Sequence, residues 1–182
     1  MKNYLFIVRA FNDVDHFTPI IDKILDLKKG NVYLYSSTPI EFHKNDNNIE
    51  YLKQVHNLDL QYIFNNTPKT KLLYEILYVF LSNFFKNKSL PSKLNTVLNK
   101  IFRYLQQSIV RYYSKNYYWV NNIFNKTNPN IVFYDWTSPN KFPYSFISQK
   151  AKEKSIPIVS LPHGLGPFVN NDIFSEEYYY SQ

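Results

Sequence analysis

The chain has 182 residues, which suits one domain with a buried core, and its composition is that of a globular protein. Its formal net charge of +7 comes mainly from lysine, whereas arginine, the side chain that most often reads base edges, occurs only at Arg9, Arg103 and Arg111. This balance argues against specific nucleic-acid binding and leaves an anionic partner open, such as a phosphate ester or an acidic membrane surface. The absence of cysteine excludes disulfides and thiolate metal sites.

No segment reaches the ~20 apolar residues that a transmembrane span requires. The apolar run near the N-terminus is too short for a signal peptide and lacks the small-residue cleavage site. These features predict a cytoplasmic protein, with peripheral contact at the inner face of the membrane as the alternative.

The first 36 residues follow a strand–helix–strand pattern. Residues 4–8 are an apolar run without polar alternation, which indicates a strand buried on both faces. We predict a loop over residues 9–17, followed by a helix that begins with Thr18 as its cap and Pro19 in its first turn. Gly30 suits the left-handed residue that ends such a helix, and a second strand follows it.

A short helix at residues 49–55 and a third strand at residues 58–64 come next. Apolar residues at helical spacing then predict a long helical insertion at about residues 68–125. Its aromatic and basic side chains would suit a membrane surface, but packing of these helices on each other and on the sheet explains the same pattern and is preferred. Residues 170–182 form a polar, tyrosine-rich tail, and residues 1–182 as a whole are predicted to be one domain.

The last part of the chain repeats the strand–helix–strand pattern. Residues 131–134 and 158–161 are short apolar runs, and residues 142–154 between them have helical spacing. Two such strands joined by a helix form a βαβ unit with a parallel pair. With the first unit, this order predicts an α/β fold, a Rossmann-like doubly wound parallel sheet of about five strands in the order 3-2-1-4-5.

Candidate site residues follow three of the predicted strands. They should meet at the carboxyl edge of the sheet, next to the switch point between the first and fourth strands. They are Arg9, Asn12, Asp13, Asp15 and His16 after the first strand, Asp135, Trp136, Thr137 and Ser138 after the fourth, and His163, Gly164 and Gly166 after the fifth. Acid–base chemistry on a hydroxyl needs a base of near-neutral pKa that a carboxylate orients. His16 and His163 are the candidate bases. Asp13, Asp15 and Asp135 are the candidates to orient one of them.

Each of these residues also has a structural interpretation. Asp13 and Asp15 can cap or hold the turn before the first helix. His16 can face solvent, and Asp135 can simply end its strand. His163 has the strongest functional case, because it follows a proline at the carboxyl end of a strand, where the chain must turn.

Two glycines after the fifth strand, Gly164 and Gly166, can bring backbone N–H groups toward an anion. Their spacing matches neither a Walker loop nor the GxGxxG dinucleotide motif. The remaining histidines, His43 and His56, lie in predicted polar loops, and we attach no role to them. The sequence therefore predicts neither a metal site nor a cofactor.

Two segments resemble known families. The stretch VRAFNDVDHFTPIIDKIL resembles the first strand, loop and helix of bacterial surface-polysaccharide glycosyltransferase-like proteins. The stretches PNIVFYDWTSPN and IPIVSLPHGL resemble the closing βαβ unit of the N-terminal half of GT-B enzymes, including capsule glycosyltransferases and CDP-glycerol glycerophosphotransferase-like proteins. A strand followed by His-Gly recurs in many GT-B proteins, whereas the NDVDH loop is narrower in occurrence. Residues 45–127 match only in helical character.

The resemblance implies the acceptor-side half of a glycosyltransferase or glycerophosphotransferase-like enzyme of surface-polysaccharide biosynthesis. In GT-B enzymes the N-terminal half usually holds the acceptor and the C-terminal half holds most of the nucleotide-activated donor. The implied roles are acceptor binding or catalysis for Asp13, Asp15 and His16, with His163 facing the cleft between the halves. The implied partners are a glycan or lipid-linked acceptor and a nucleotide-activated donor.

The second GT-B half is not part of this sequence, so we expect the chain alone to lack transfer activity. The alternative is a non-enzymatic binding or scaffolding module of the same fold in the same pathway. A third interpretation, less favoured, is a self-contained nucleotide- or phosphate-binding α/β protein.

Overall fold

The computed structural model describes residues 1–9, 11–65, 101, 104, 118–135 and 143–161. Within these ranges, the elements in chain order are β1 (Lys2–Val8), α1 (Phe11–Asp26), β2 (Gly30–Ser36), a 3₁₀ turn (Ile40–His43), α2 (Asn47–His56), β3 (Leu60–Tyr62), α3 (Tyr118–Thr127), β4 (Ile131–Asp135), α4 (Tyr144–Glu153) and β5 (Ile158–Leu161).

The five strands form one parallel sheet in the order β3-β2-β1-β4-β5. The predicted α/β fold and strand order are therefore confirmed. Strands are added outward from β1 in both directions, so the switch point lies between β1 and β4. These two strands are direct neighbours, with Tyr4 opposite Ile131 and Ile7 opposite Tyr134.

Aromatic side chains of β1, β4 and α1 meet in the core on one face of the sheet. The rings of Phe6 and Phe133 are stacked, with centroids 4.4 Å apart and planes within 9°. The ring of Phe17 on α1 meets Phe6 edge-on at 5.4 Å. Val14 and Ile21, on the same helical face as Phe17, are also buried. The core thus fixes α1 against the two strands that flank the switch point.

The first helix begins earlier than the sequence pattern predicts. It starts at Phe11, so the loop predicted for residues 9–17 is wrong. Thr18 is not a cap, because its Oγ1 donates a hydrogen bond to the carbonyl of Val14 at 2.7 Å, one turn earlier in the same helix. Burial of Val14 and Phe17 against the sheet favours a helical conformation there, which local capping preferences alone do not indicate.

Pro19 lies inside α1 instead of in its first turn. Its ring removes the N–H that would bond the carbonyl of Asp15. Both residues are exposed, so this carbonyl lies on the solvent side of the helix, where water can satisfy it. The helix tolerates the proline because the carbonyl that loses its hydrogen bond faces solvent.

Gly30 does not provide the left-handed residue at the end of α1, which is instead Lys28, with φ of 50°. Gly30 is the first residue of β2 and pairs with Lys2 of β1. A Cβ atom at this position would lie 2.1 Å from the carbonyl oxygen of Lys2 and 2.6 Å from Cε2 of Tyr4. Glycine is therefore required here by the close approach of two strands.

The chain divides into two compact units, one of Met1–Tyr62 with Ile123–Gln182 and one of Ile63–Asn122. The sheet belongs to the first unit. The helical insertion predicted for about residues 68–125 contains the start of α3, and a helix between β3 and β4 is confirmed. The tail predicted at residues 170–182 lies outside the described residues, and the prediction of a single domain stays a prediction.

None of the helices in the described part of the chain combines the length and the apolar character that a membrane crossing requires.

Replacing Gly30 by alanine is expected to destabilise the protein by about 1–3 kcal/mol, because the new methyl group overlaps the backbone of β1. The free energy of unfolding from urea titration measures this effect. The control is Lys29→Ala, an exposed neighbour whose replacement should change stability by less than about 0.5 kcal/mol. Equal stability of Gly30→Ala and Lys29→Ala would show that the strands can separate at no cost.

Candidate functional site

The strand register aligns the carboxyl ends of all five strands in one row. Ser36 pairs with both Val8 and Tyr62, and Asp135 pairs with Leu161. The pairing of β1 with β4 runs up to the residues just before Val8 and Asp135, which brings these two ends level. The chain therefore leaves every strand at the same edge, where ligands of open parallel sheets bind.

Arg9 and Asp13 are joined at the switch point. The backbone N–H of Arg9 donates to Oδ2 of Asp13 at 2.7 Å, and Asp13 is fully buried in the first turn of α1. A carboxylate in this position satisfies a backbone donor ahead of the helix and interacts favourably with the helix dipole. The structure thus supports the structural role that the sequence left open for Asp13. The side chain of Arg9 is exposed beside it and offers a cation to an anionic ligand.

Asp15 and His16 lie on α1 with Asp13 but on other sides of it. Successive helical residues turn by about 100°, so Asp13 and Asp15 point to nearly opposite sides. Asp15 is exposed, and its Oδ1 accepts a hydrogen bond of 2.6 Å from Nδ2 of Asn48 on α2. His16 is partly buried. The structure therefore does not bring Asp15 together with Asp13, and the catalytic role of His16 stays a prediction.

The remaining predicted site residues are described in part or not at all. The backbone of Asn12 lies in the first turn of α1, and the backbone of Asp135 ends β4. The others, Trp136, Thr137, Ser138, His163, Gly164 and Gly166, lie outside the described residues, and their roles stay predictions.

A buried polar network that the sequence pattern did not predict follows β2, next to the end of β1. It consists of Ser36, Thr38, His43 and Asp46, all of them buried. Nε2 of His43 lies 3.0 Å from Oγ of Ser36 and 3.2 Å from Oγ1 of Thr38, and its Nδ1 lies 3.9 Å from Oδ2 of Asp46. The order of groups resembles that of a serine hydrolase triad, so the direction of its hydrogen bonds decides its meaning.

Counting protons shows that this network is structural. The hydroxyl of Ser36 donates to the carbonyl of Thr38 at 2.6 Å, and the hydroxyl of Thr38 donates to the carbonyl of Arg9 at 2.8 Å. Each hydroxyl has a single proton, and in both side chains this proton is directed at a backbone carbonyl. In a catalytic triad the imidazole instead accepts the proton of the serine. Ser36 is also fully buried, so it is not placed to attack a substrate.

The network ties the loop after β2 to the start of α2. Oδ1 of Asp46 accepts hydrogen bonds from the backbone N–H groups of Asn48 and Ile49, at 3.0 and 3.3 Å, and so caps α2. Burial lowers the pKa of His43 below its usual range, against the opposing effect of the Asp46 carboxylate. His43 is thus held in its neutral form.

Ser37 joins three elements beside the switch point. Its backbone N–H and its hydroxyl both donate to the carbonyl of Val8, at 2.8 and 3.2 Å. Because that proton is used, the hydroxyl of Tyr144, 3.0 Å away, donates to Oγ of Ser37. The ends of β1 and β2 and the first residue of α4 are thereby held together. The run Ser-Ser-Thr directly after a buried strand is the sequence signal that could have indicated the buried polar groups at this edge.

Comparison with protein-family models finds no family that matches this chain, and comparison with curated proteins finds no match either.

The neutral state of His43 predicts a specific pH dependence of stability. The unfolded chain takes up the proton near pH 6.5, whereas the folded protein takes it up at lower pH, so the unfolded state binds more protons in between. His43 therefore makes its full contribution to the free energy of unfolding above about pH 6.5. This contribution is lost as the pH falls through the pKa of His43 in the folded protein.

We therefore expect the wild type to lose more stability between about pH 7.5 and about pH 5.5 than His43→Gln, whose amide keeps a donor near the Nε2 position but does not titrate. Urea titrations at both pH values measure the two losses. Equal losses would contradict the assignment of a buried neutral imidazole.

Proposed function

We propose that this chain is the acceptor-side half of a GT-B-type glycosyltransferase, or of a related glycerophosphotransferase, of bacterial surface-polysaccharide biosynthesis. The proposal depends on the sheet order β3-β2-β1-β4-β5, with a switch point between the neighbouring strands β1 and β4. A fold by itself does not define an activity. The reaction class comes from the resemblance of residues 8–25 and of the two stretches around β4 and β5 to proteins of this kind.

In this proposal, the acceptor binds at the carboxyl edge beside β1. The exposed guanidinium of Arg9 binds a phosphate or another anionic group of the acceptor. Asp13 keeps the chain after β1 in place through its hydrogen bond to Arg9. His16 acts as the base that removes a proton from the acceptor hydroxyl, or positions that hydroxyl, together with His163 after β5.

The proposed donor is a nucleotide-activated sugar or glycerol, which a second GT-B half would bind. The proposal includes a cytoplasmic location, because the protein must meet its nucleotide-activated donor there. A lipid-linked acceptor adds peripheral contact with the inner face of the membrane, which the net charge of +7 favours when the lipids are anionic.

A second candidate is a non-enzymatic binding or scaffolding module of the same fold. The state of the polar groups along the described edge favours it. Asp13 is engaged with the backbone of Arg9, and the hydroxyls of Ser36 and Thr38 are engaged with backbone carbonyls. These groups stabilise the edge of the sheet. A catalytic activity would therefore depend on His16 and on residues outside the described ranges.

Binding measurements distinguish an acceptor half from a self-contained nucleotide-binding protein. We expect UDP-sugars and CDP-glycerol to bind this chain with Kd weaker than about 1 mM, since the donor contacts belong to the other half. An anionic acceptor analogue should shift the backbone NMR signals of Arg9 and Asp13, and Arg9→Ala should weaken its binding about tenfold. Lys53→Ala, on the exposed side of α2, is the matched control. Micromolar binding of a donor would overturn the proposal.

His16→Ala tests the catalytic role. In the enzyme joined to its donor-binding half, the loss of a general base should lower turnover by about 10²-fold or more. The urea midpoint should change little, because His16 is only partly buried. Lys23→Ala, an exposed position on the same helix, is the control. Full activity of a folded His16→Ala protein would favour the scaffolding candidate.

A further inference from the structure

A polar cluster joins the second half of α1 to α2, on the outer side of these helices. Nε2 of His56 donates to Oδ1 of Asp22 at 2.8 Å, and the hydroxyl of Tyr51 donates to the same oxygen at 2.6 Å. Asp26 lies one helical turn after Asp22. One ligand atom from each of Asp22, Asp26 and His56 can be chosen so that all three lie within 4.8 Å of one another.

We propose that Asp22, Asp26 and His56 bind one divalent first-row transition metal ion, which joins α1 to α2. The ligand set has two carboxylate oxygens spaced by one turn of α1 and one imidazole nitrogen from the end of α2. It is a site that sequence reasoning could not find, because the two carboxylates and the imidazole come from different helices and no metal-binding motif links them.

One distance in the cluster, 2.8 Å between Nε2 of His56 and Oδ1 of Asp22, is close to the separation of two ligands on one ion, and the three ligand atoms lie within 4.8 Å of one another. Ligands at about 2.0–2.2 Å from a tetrahedral zinc ion are separated from each other by about 3.3 Å. The contact between His56 and Asp22 is shorter than this and needs to open by a few tenths of an ångström. The ion takes the place of the proton on Nε2 of His56, which moves to Nδ1 or is released to solvent. Asp26 is exposed, so a change of its rotamer can bring its carboxylate closer to the other two.

Two of the three ligands are already oriented by a neighbour, which distinguishes this cluster from exposed carboxylates that merely lie close together. The side chain of His56 is only 10% exposed, and the ring of Tyr51 meets its imidazole edge-on at 6.2 Å. The hydroxyl of Tyr51 also holds the carboxylate of Asp22. Such outer contacts orient the ligands of metal sites and contribute to their affinity.

The chemistry of the ligands selects the ion. Calcium and magnesium prefer a shell made of oxygen alone, with six or more ligands for calcium. An imidazole with two carboxylates suits zinc, cobalt, nickel or manganese. Three protein ligands leave a fourth position of a tetrahedral ion for water.

The cluster lies far along α1 from the candidate acceptor site. α1 begins at the carboxyl edge of the sheet and returns toward the opposite edge, so Asp22 and Asp26 lie near the end away from Asp13. An ion bound there would stabilise the contact of α1 with α2 and would not touch an acceptor at the switch point. This inference is therefore independent of the proposed function.

The test is calorimetric titration of the tag-free chain with zinc chloride. We expect one zinc ion per chain with micromolar affinity, and magnesium should bind at least tenfold more weakly. Asp26→Asn and His56→Gln should each weaken zinc binding by about tenfold or more, since each replaces a strong zinc ligand by a weakly coordinating amide of similar size. The matched control is Asp59→Asn, an exposed carboxylate next to Lys53 and outside the cluster, which should bind zinc like the wild type.

Thermal unfolding provides a second measurement. Zinc at about a hundredfold excess over Kd should raise the Tm of the wild type and of Asp59→Asn by about 5 °C or more, and should leave that of Asp26→Asn nearly unchanged. Asp26 is exposed, so Asp26→Asn is expected to fold. This variant decides the test if His56→Gln does not fold. Zinc binding of equal strength in the wild type and Asp26→Asn, or no binding by the wild type, would overturn the proposal.

Discussion

The arrangement of this protein depends on the burial of β1 between two parallel neighbours. Residues 5–8 of this strand have no exposed surface, and β2 and β4 pair with it on either side. A strand in this position must find hydrogen-bond partners for its backbone on both edges and apolar cover for both faces. Its register with β2 and β4 then sets where every strand ends. The alignment of Val8 with Ser36 and Asp135 at one edge is a direct consequence.

Buried polar groups at that edge hold the loops after the aligned strand ends in one arrangement. Ser36, Thr38 and His43 are buried, at most 4% exposed, so each must find its hydrogen bonds within the protein. They find them on the backbone after β1 and on one another, and Asp46 extends the network to the N-terminus of α2. A hydrogen-bonded network of this kind stabilises one arrangement of the loops against others. The same engagement explains why the described hydroxyls build the edge and are not candidates for nucleophiles.

The first helix links the two proposed binding sites of this protein. Its N-terminal turn carries Asp13 at the switch point, where the exposed side chain of Arg9 is available to an anion. Its last turns carry Asp22 and Asp26, which face His56 on α2. Apolar contacts of Phe17 with Phe6 and Phe133 hold the middle of the helix against the sheet. One packed helix thus sets the geometry of both proposed sites, which differ in chemistry.

The sequence by itself determined the five strands, their parallel order and the helices after β2 and β4, because apolar runs and their spacing are local properties. It also indicated that the residues around Asp13 and His16 lie beside the switch point. Only the tertiary structure decided that α1 begins at Phe11, since burial against the sheet outweighs the capping signal that a proline creates. Likewise, His56 meets Asp22 from 34 positions away along the chain, and His43 meets Ser36 through an irregular turn of seven positions. Such contacts arise from packing and leave no periodic pattern in the sequence.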